Sequence, residues 1–123
     1  MKYVILIYNN PASRSIWESL SPEQRSAGLG QYAALNEELT ASGELIVSEA
    51  LADPHMAKRV ALQQDQLMVT DGPFAEAKEQ LAGFYLLECE TIERAIEHAG
   101  RVPEARLGLV EVRPVMDLKG FEM

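Results

Sequence analysis

Asp71 is the carboxylate whose setting most suggests chemistry. It ends an apolar run and precedes Gly72-Pro73, where the chain must turn. A carboxylate held beside an apolar pocket has a raised pKa and can serve as a general base. Asp before Gly also commonly bonds the amides of its own turn, and this reading stays open beside the first. Lys78 is the only cation between residues 69 and 79, placed to hold a carboxylate ligand or to pair with Asp71. A ligand site built on these two would be bordered by Tyr32, from a helical stripe, and by Arg113, from the last strand-like segment. Tyr32 is equally a candidate core tyrosine. Glu76 and Glu79 read as a solvated charge run, where pairs contribute below about 1 kcal/mol each, and Phe74 as a packing anchor.

The remaining reactive side chains carry weaker signals. His98 shares a predicted helix with Arg94 and Glu97 and is expected on its solvated side, while His55 sits in a Pro-containing loop beside Asp53. Two histidines without a cysteine cluster give no strong metal spacing, so no metal is expected. Cys89 has no marker of a low-pKa thiol. There is no Gly-rich phosphate loop and no Gly-x-Ser-x-Gly elbow, and no cofactor is expected.

The elements that must position these residues follow from pattern. Residues 2–8 form a β-branched and aromatic run apolar on both faces, Val4 and Leu6 one way and Tyr3, Ile5 and Ile7 the other. Asn9-Asn10-Pro11 ends it. Ser21-Pro22-Glu23-Gln24 combines an N-cap, Pro at the first helical position and a capping box. The helix that follows carries Gly28, Tyr32, Leu35 and Leu39 on one stripe and stops at Gly43. Gly28 and Gly30 weaken it and hint at a close contact with a strand or a ligand. Residues 45–51 read as a strand, and 58–62 and 66–70 as a hairpin across Gln63-Gln64-Asp65. Residues 83–89 are again apolar on both faces. Thr91 caps a second helix whose stripe is read as Ile92, Ala95, Ile96 and Ala99, and the last strand runs over about 108–115. The order β-α-β-(hairpin)-β-α-β predicts an α+β, ferredoxin-like βαββαβ fold with an inserted β-hairpin. Two helices cover one face of such a sheet. Strands apolar on the second face then call for a second copy of the chain, so a homodimer with sheets packed face to face is expected.

The 123 residues, 47% hydrophobic and 24% charged, fit one globular domain, 1–123. No apolar run reaches the roughly 18 residues of a membrane span. A lone cysteine rules out an internal disulfide and suits a reducing cytosol, so a cytoplasmic location is expected. The net charge of −8, with scattered basic residues, argues against nucleic acid and anionic membranes as partners.

The segment Val69-Thr70-Asp71-Gly72-Pro73-Phe74-Ala75-Glu76-Ala77-Lys78-Glu79, followed by Gly83-Phe84-Tyr85, resembles the signature of the YCII-related family in its DGPF-motif branch. Residues 2–8, Trp17 before Leu20-Ser21-Pro22-Glu23, and residues 108–115 resemble its first strand, helix start and last strand. The resemblance implies a ferredoxin-like subunit in a dimeric α/β barrel. For function it implies a small-molecule-binding or regulatory protein, linked in many members to an extracytoplasmic-function sigma factor. The alternative is a cofactor-free lyase or isomerase acting on a small organic acid with Asp71 as general base. Ala77 departs from the Thr often seen in the motif. Neither histidine lies on the first helix, where the wider family places the histidine of a His-Asp pair. Gln31 and Tyr32 occupy that region, so the pair is not carried over.

Overall fold

The computed structural model describes residues 1–74 and 78–118; Glu76 and Ala77 of the motif, with Ala75, lie outside them. The β-branched opening forms β1 (Lys2–Asn9). Asn10-Pro11-Ala12-Ser13 then starts a helix, α1 (Pro11–Ser19), where the sequence suggested only a strand end. The Asn10 side chain accepts from Ser13 N at 2.8 Å, Ser13 Oγ accepts from Asn10 N at 2.9 Å, and Pro11 sits in the first turn. A proline that stops a strand is equally a good first helical residue, and the reciprocal cap decides between them.

The same device at Ser21 and Gln24 starts α2 (Pro22–Ser42), which ends at Gly43 with φ 77°. Its stripe buries Leu35 and Leu39 and half-buries Tyr32. Gly28 faces the Trp17 ring of α1, and Gly30 has open space beside it, so neither glycine meets a strand. The chain continues through β2 (Leu45–Ala50), a 3-10 turn (Pro54–Met56), β3 (Lys58–Gln63), β4 (Gln66–Asp71), β5 (Gln80–Glu88), α3 (Ile92–Ala99), a second 3-10 turn (Pro103–Leu107) and β6 (Val110–Pro114).

Four strands form one antiparallel sheet in the order β2-β5-β1-β6, and β3 pairs with β4 in a separate two-stranded sheet. The molecule is α+β, and in the main sheet the outer strands come from the second and last β segments, as in ferredoxin-like chains. On one face Tyr3, Ile5, Ile7, Tyr85 and Leu87 pack against Leu35 and Leu39 of α2 and Ala95 and Ala99 of α3 to form the core. Ile92, Ala95 and Ala99 of the expected α3 stripe pack on the core, but Ile96 is 52% exposed, while His98 is 3% exposed and faces inward. The expected solvated histidine is thus a buried one. Residues 95, 98, 99 and 102 are the buried ones, and His98 is accommodated there because it meets the Glu44 carboxylate.

On the other face, Val4, Leu6, Phe84 and Leu86 are partly exposed, and none of them belongs to the core cluster. The β3–β4 hairpin has a similar surface. Val60 opposes Val69 and Leu62 opposes Leu67 on one side, all more than half exposed.

Candidate functional site

A cleft forms where the Gly72-Pro73 turn meets the end of β2. Gly72 N donates to Ala57 O at 2.8 Å, tying the turn to the Pro54–Met56 segment. A Cβ on Gly72 would lie 3.2 Å from both Ala57 Cβ and Ala57 O, so the tight approach favours glycine. The Gly72-Pro73 bond is cis. Between these segments lies an open cleft of about 450 Å³, lined mostly by apolar groups of Leu51, Pro54, Met56, Pro73, Phe74 and Leu81, with Asp53 and Glu79 as its charged members. That volume lies in the range of small-ligand sites.

Two cations steady its walls. Asp53 accepts from His55 N at 2.8 Å and from Arg14 Nη2 at 3.3 Å. The backbone bond, more than Arg14, holds its carboxyl below the usual range. The Arg59 guanidinium lies 4.3 Å from the centroid of the Phe74 ring, a cation–π contact that backs the aromatic wall. The cleft thus presents apolar area and two carboxylates, Asp53 already paired with Arg14, with Arg14 and Arg59 behind its walls.

The residues expected to form one site are spread over the molecule. Asp71 ends β4 directly across from Lys58, with Lys58 Nζ 2.5 Å from its Oδ1, and its side chain is 84% exposed. The ion pair caps the apolar side of the hairpin that carries Val60 and Val69. A hydrated, paired carboxylate lacks the desolvation that makes a general base at neutral pH. Lys78 is exposed. Tyr32 lies against the core and Arg113 on the opposite face of the sheet, where it opposes Val4. None of the four lines the cleft, and within one chain they do not converge.

Two polar clusters under the helices escaped sequence reasoning. The Tyr32 hydroxyl donates to the Glu104 carboxyl from the second 3-10 turn. Burial pushes Glu104 above the usual carboxylate range despite that bond, and burial followed by Glu104 pushes the Tyr32 phenol far up. In the second cluster, Glu44 accepts from Arg94 Nε and Nη2 at 3.1 and 3.0 Å and lies 3.0 Å from His98 Nε2. Arg94 holds Glu44 down to about 2. Burial, then Glu44, push the Cys89 thiol up to about 11. Both clusters join residues far apart in the chain; in the second, Arg94 and His98 lie one turn apart on α3, but their shared partner Glu44 is distant in sequence. Among the described residues no helix is long and apolar enough to cross a membrane.

The YCII-related domain matches residues 1–119. An uncharacterized protein of Rhizobium meliloti (strain 1021) is 32% identical over 125 residues, covering 100% of this chain and 98% of its own. Among solved structures, the 5-chloro-2-hydroxyhydroquinone dehydrochlorinase TftG from Burkholderia phenoliruptrix AC1100, in complex with 2,5-dihydroxybenzoquinone, is similar with a TM-score of 0.49 and 15% identity, covering 98% of each chain.

Proposed function

The chain belongs to the YCII-related family, and from that premise we propose that it is a small-molecule-binding protein of the DGPF-motif branch, working as a homodimer. The observation that carries the binding reading is the cleft of about 450 Å³ built around Pro73 and Phe74 of the motif itself. Its apolar lining with Asp53 and Glu79 suits a neutral or cationic amphipathic compound better than a small organic acid. A regulatory role beside a sigma factor rests on the motif resemblance alone.

Support for the homodimer comes from two apolar surfaces outside the core cluster, the sheet face of Val4, Leu6, Phe84 and Leu86 and the hairpin side of Val60, Leu62, Leu67 and Val69. An isolated two-stranded hairpin is marginal in water, and a partner packed on both surfaces would stabilise it. Such an interface would exceed roughly 1,500 Å² in total.

The competing reading is a lyase or isomerase with Asp71 as base, and it needs the partner subunit to desolvate that carboxylate. A thermal-shift screen of neutral, cationic and anionic small compounds separates the two. The binding reading expects neutral or cationic hits that Phe74→Ala abolishes and Asp71→Asn leaves intact. Turnover of a small acid that Asp71→Asn abolishes in a folded protein would replace it.

A further inference from the structure

Three side chains of different chemistry meet at the end of the β2–β5 pair opposite the cleft. Glu44 follows the Gly43 cap and opens the way into β2; its amide donates to Leu39 O at 3.2 Å and its carbonyl accepts from Glu88 N at 2.8 Å. Cys89 follows β5, its amide donating to Met1 O at 3.0 Å. His98 points in from α3. One donor atom from each lies within 4.8 Å of the other two. Cys89 and His98 are 4% and 3% exposed, and Glu44 is held by the two backbone bonds above.

A thiol, an imidazole and a carboxylate together suit zinc rather than magnesium or calcium, which take oxygen donors. Tetrahedral zinc, with bonds of about 2.0–2.3 Å, separates its donors by roughly 3.3–3.8 Å. Donors within 4.8 Å of one another would have to close by at most about 1.5 Å to reach that spacing. Arg94 binds both Glu44 oxygens, and this bears on the fit. A metal on Oε1 displaces the Arg94 Nη2 bond to that oxygen and leaves the Arg94 Nε bond to Oε2 in place, which then orients the ligating carboxylate. We propose that Glu44, Cys89 and His98 form a binding site for a zinc-type divalent cation. On binding, the Cys89 thiol releases its proton to solvent, His98 coordinates through neutral Nε2, and no electrons move. Thiolate and carboxylate supply two negative charges against the ion and the Arg94 guanidinium that stays on Glu44. The three protein donors leave a fourth position for water or an added ligand.

The test uses the full chain after chelator treatment, titrated with cobalt(II) and then zinc(II). One cobalt per chain should bind with a near-ultraviolet thiolate-to-cobalt charge-transfer band and the intense visible bands of a tetrahedral ion, and zinc should displace it. Cys89→Ser should remove the charge-transfer band, and Cys89→Ser and His98→Gln should each weaken zinc binding roughly 10-fold or more. Since Cys89 is the one cysteine, zinc should also slow its alkylation in the unaltered protein, a readout that holds even if a variant does not fold. Absence of the cobalt band, zinc binding indifferent to both substitutions, or an alkylation rate unchanged by zinc would overturn the site.

Discussion

Two carboxylates at turns, Asp71 and Glu104, sit in opposite surroundings. Asp71 is hydrated and held by Lys58; Glu104 is partly buried and meets a tyrosine hydroxyl rather than a cation. Burial raises the folded-state pKa of Glu104 above its unfolded value near 4.5. The stability tied to the protonated form is then fully present below that unfolded value and is lost as pH rises through the folded one. Glu104→Gln keeps an acceptor for the Tyr32 hydroxyl and removes the buried charge. Its Tm at pH 7 should exceed that of the unaltered chain by about 3 °C, with the gap closing toward pH 4. A variant less stable at pH 7 would contradict this assignment. Asp71→Asn removes only an exposed pair and should move Tm by about 2 °C or less. The motif made Asp71 conspicuous, whereas nothing local marked Glu104 or His98. Their partners, Tyr32 and Glu44, come from α2 and its end, and only folding brings them near.

At the scale of elements, residues 2–8, 21–43 and 83–89 were legible because caps, a 3.6-residue stripe and two-faced apolar runs agree with one another. α1 was not. Its Asn10-Pro11 start has the composition of a strand stop, and the 9-residue helix buries no residue that would give it a stripe. Two glycine substitutions test the packing of what was read. Gly83 opposes Ala50 on β2, and a Cβ there would lie 2.9 Å from Glu49 O. Gly83→Ala should cost about 1–3 kcal/mol in urea unfolding, because backbone must move to admit the methyl. Gly30 lies within α2 with nothing inside 4 Å, and Gly30→Ala should stabilise by about 0.5–1 kcal/mol. Reversed signs would show the β2–β5 contact or the α2 placement to be wrong.

For the whole molecule, the two-faced apolarity of β1 and β5 carried the expectation of a partner copy, and the sheet face opposite the core is where that expectation has to be met. Light scattering at micromolar concentration should give twice 13.6 kDa, and Leu6→Lys on that face should weaken the dimer at least 10-fold, about 1.4 kcal/mol. A stable monomer would remove the homodimer. The sequence named Asp71, Lys78, Tyr32 and Arg113 as one site, yet the cleft is built from Leu51 to Ala57 and from the turn after Asp71, since cleft walls depend on how a loop folds over a hairpin base. Binding in that cleft is the central claim. Its most direct test is a titration of the ¹⁵N-labelled protein with the strongest compound from the thermal-shift screen, followed by amide shifts. The perturbed amides should cluster at Asp53, Met56, Ala57, Phe74, Gln80 and Leu81; shifts gathered around Asp71 and Lys58 instead, or no saturable shifts at all, would contradict it.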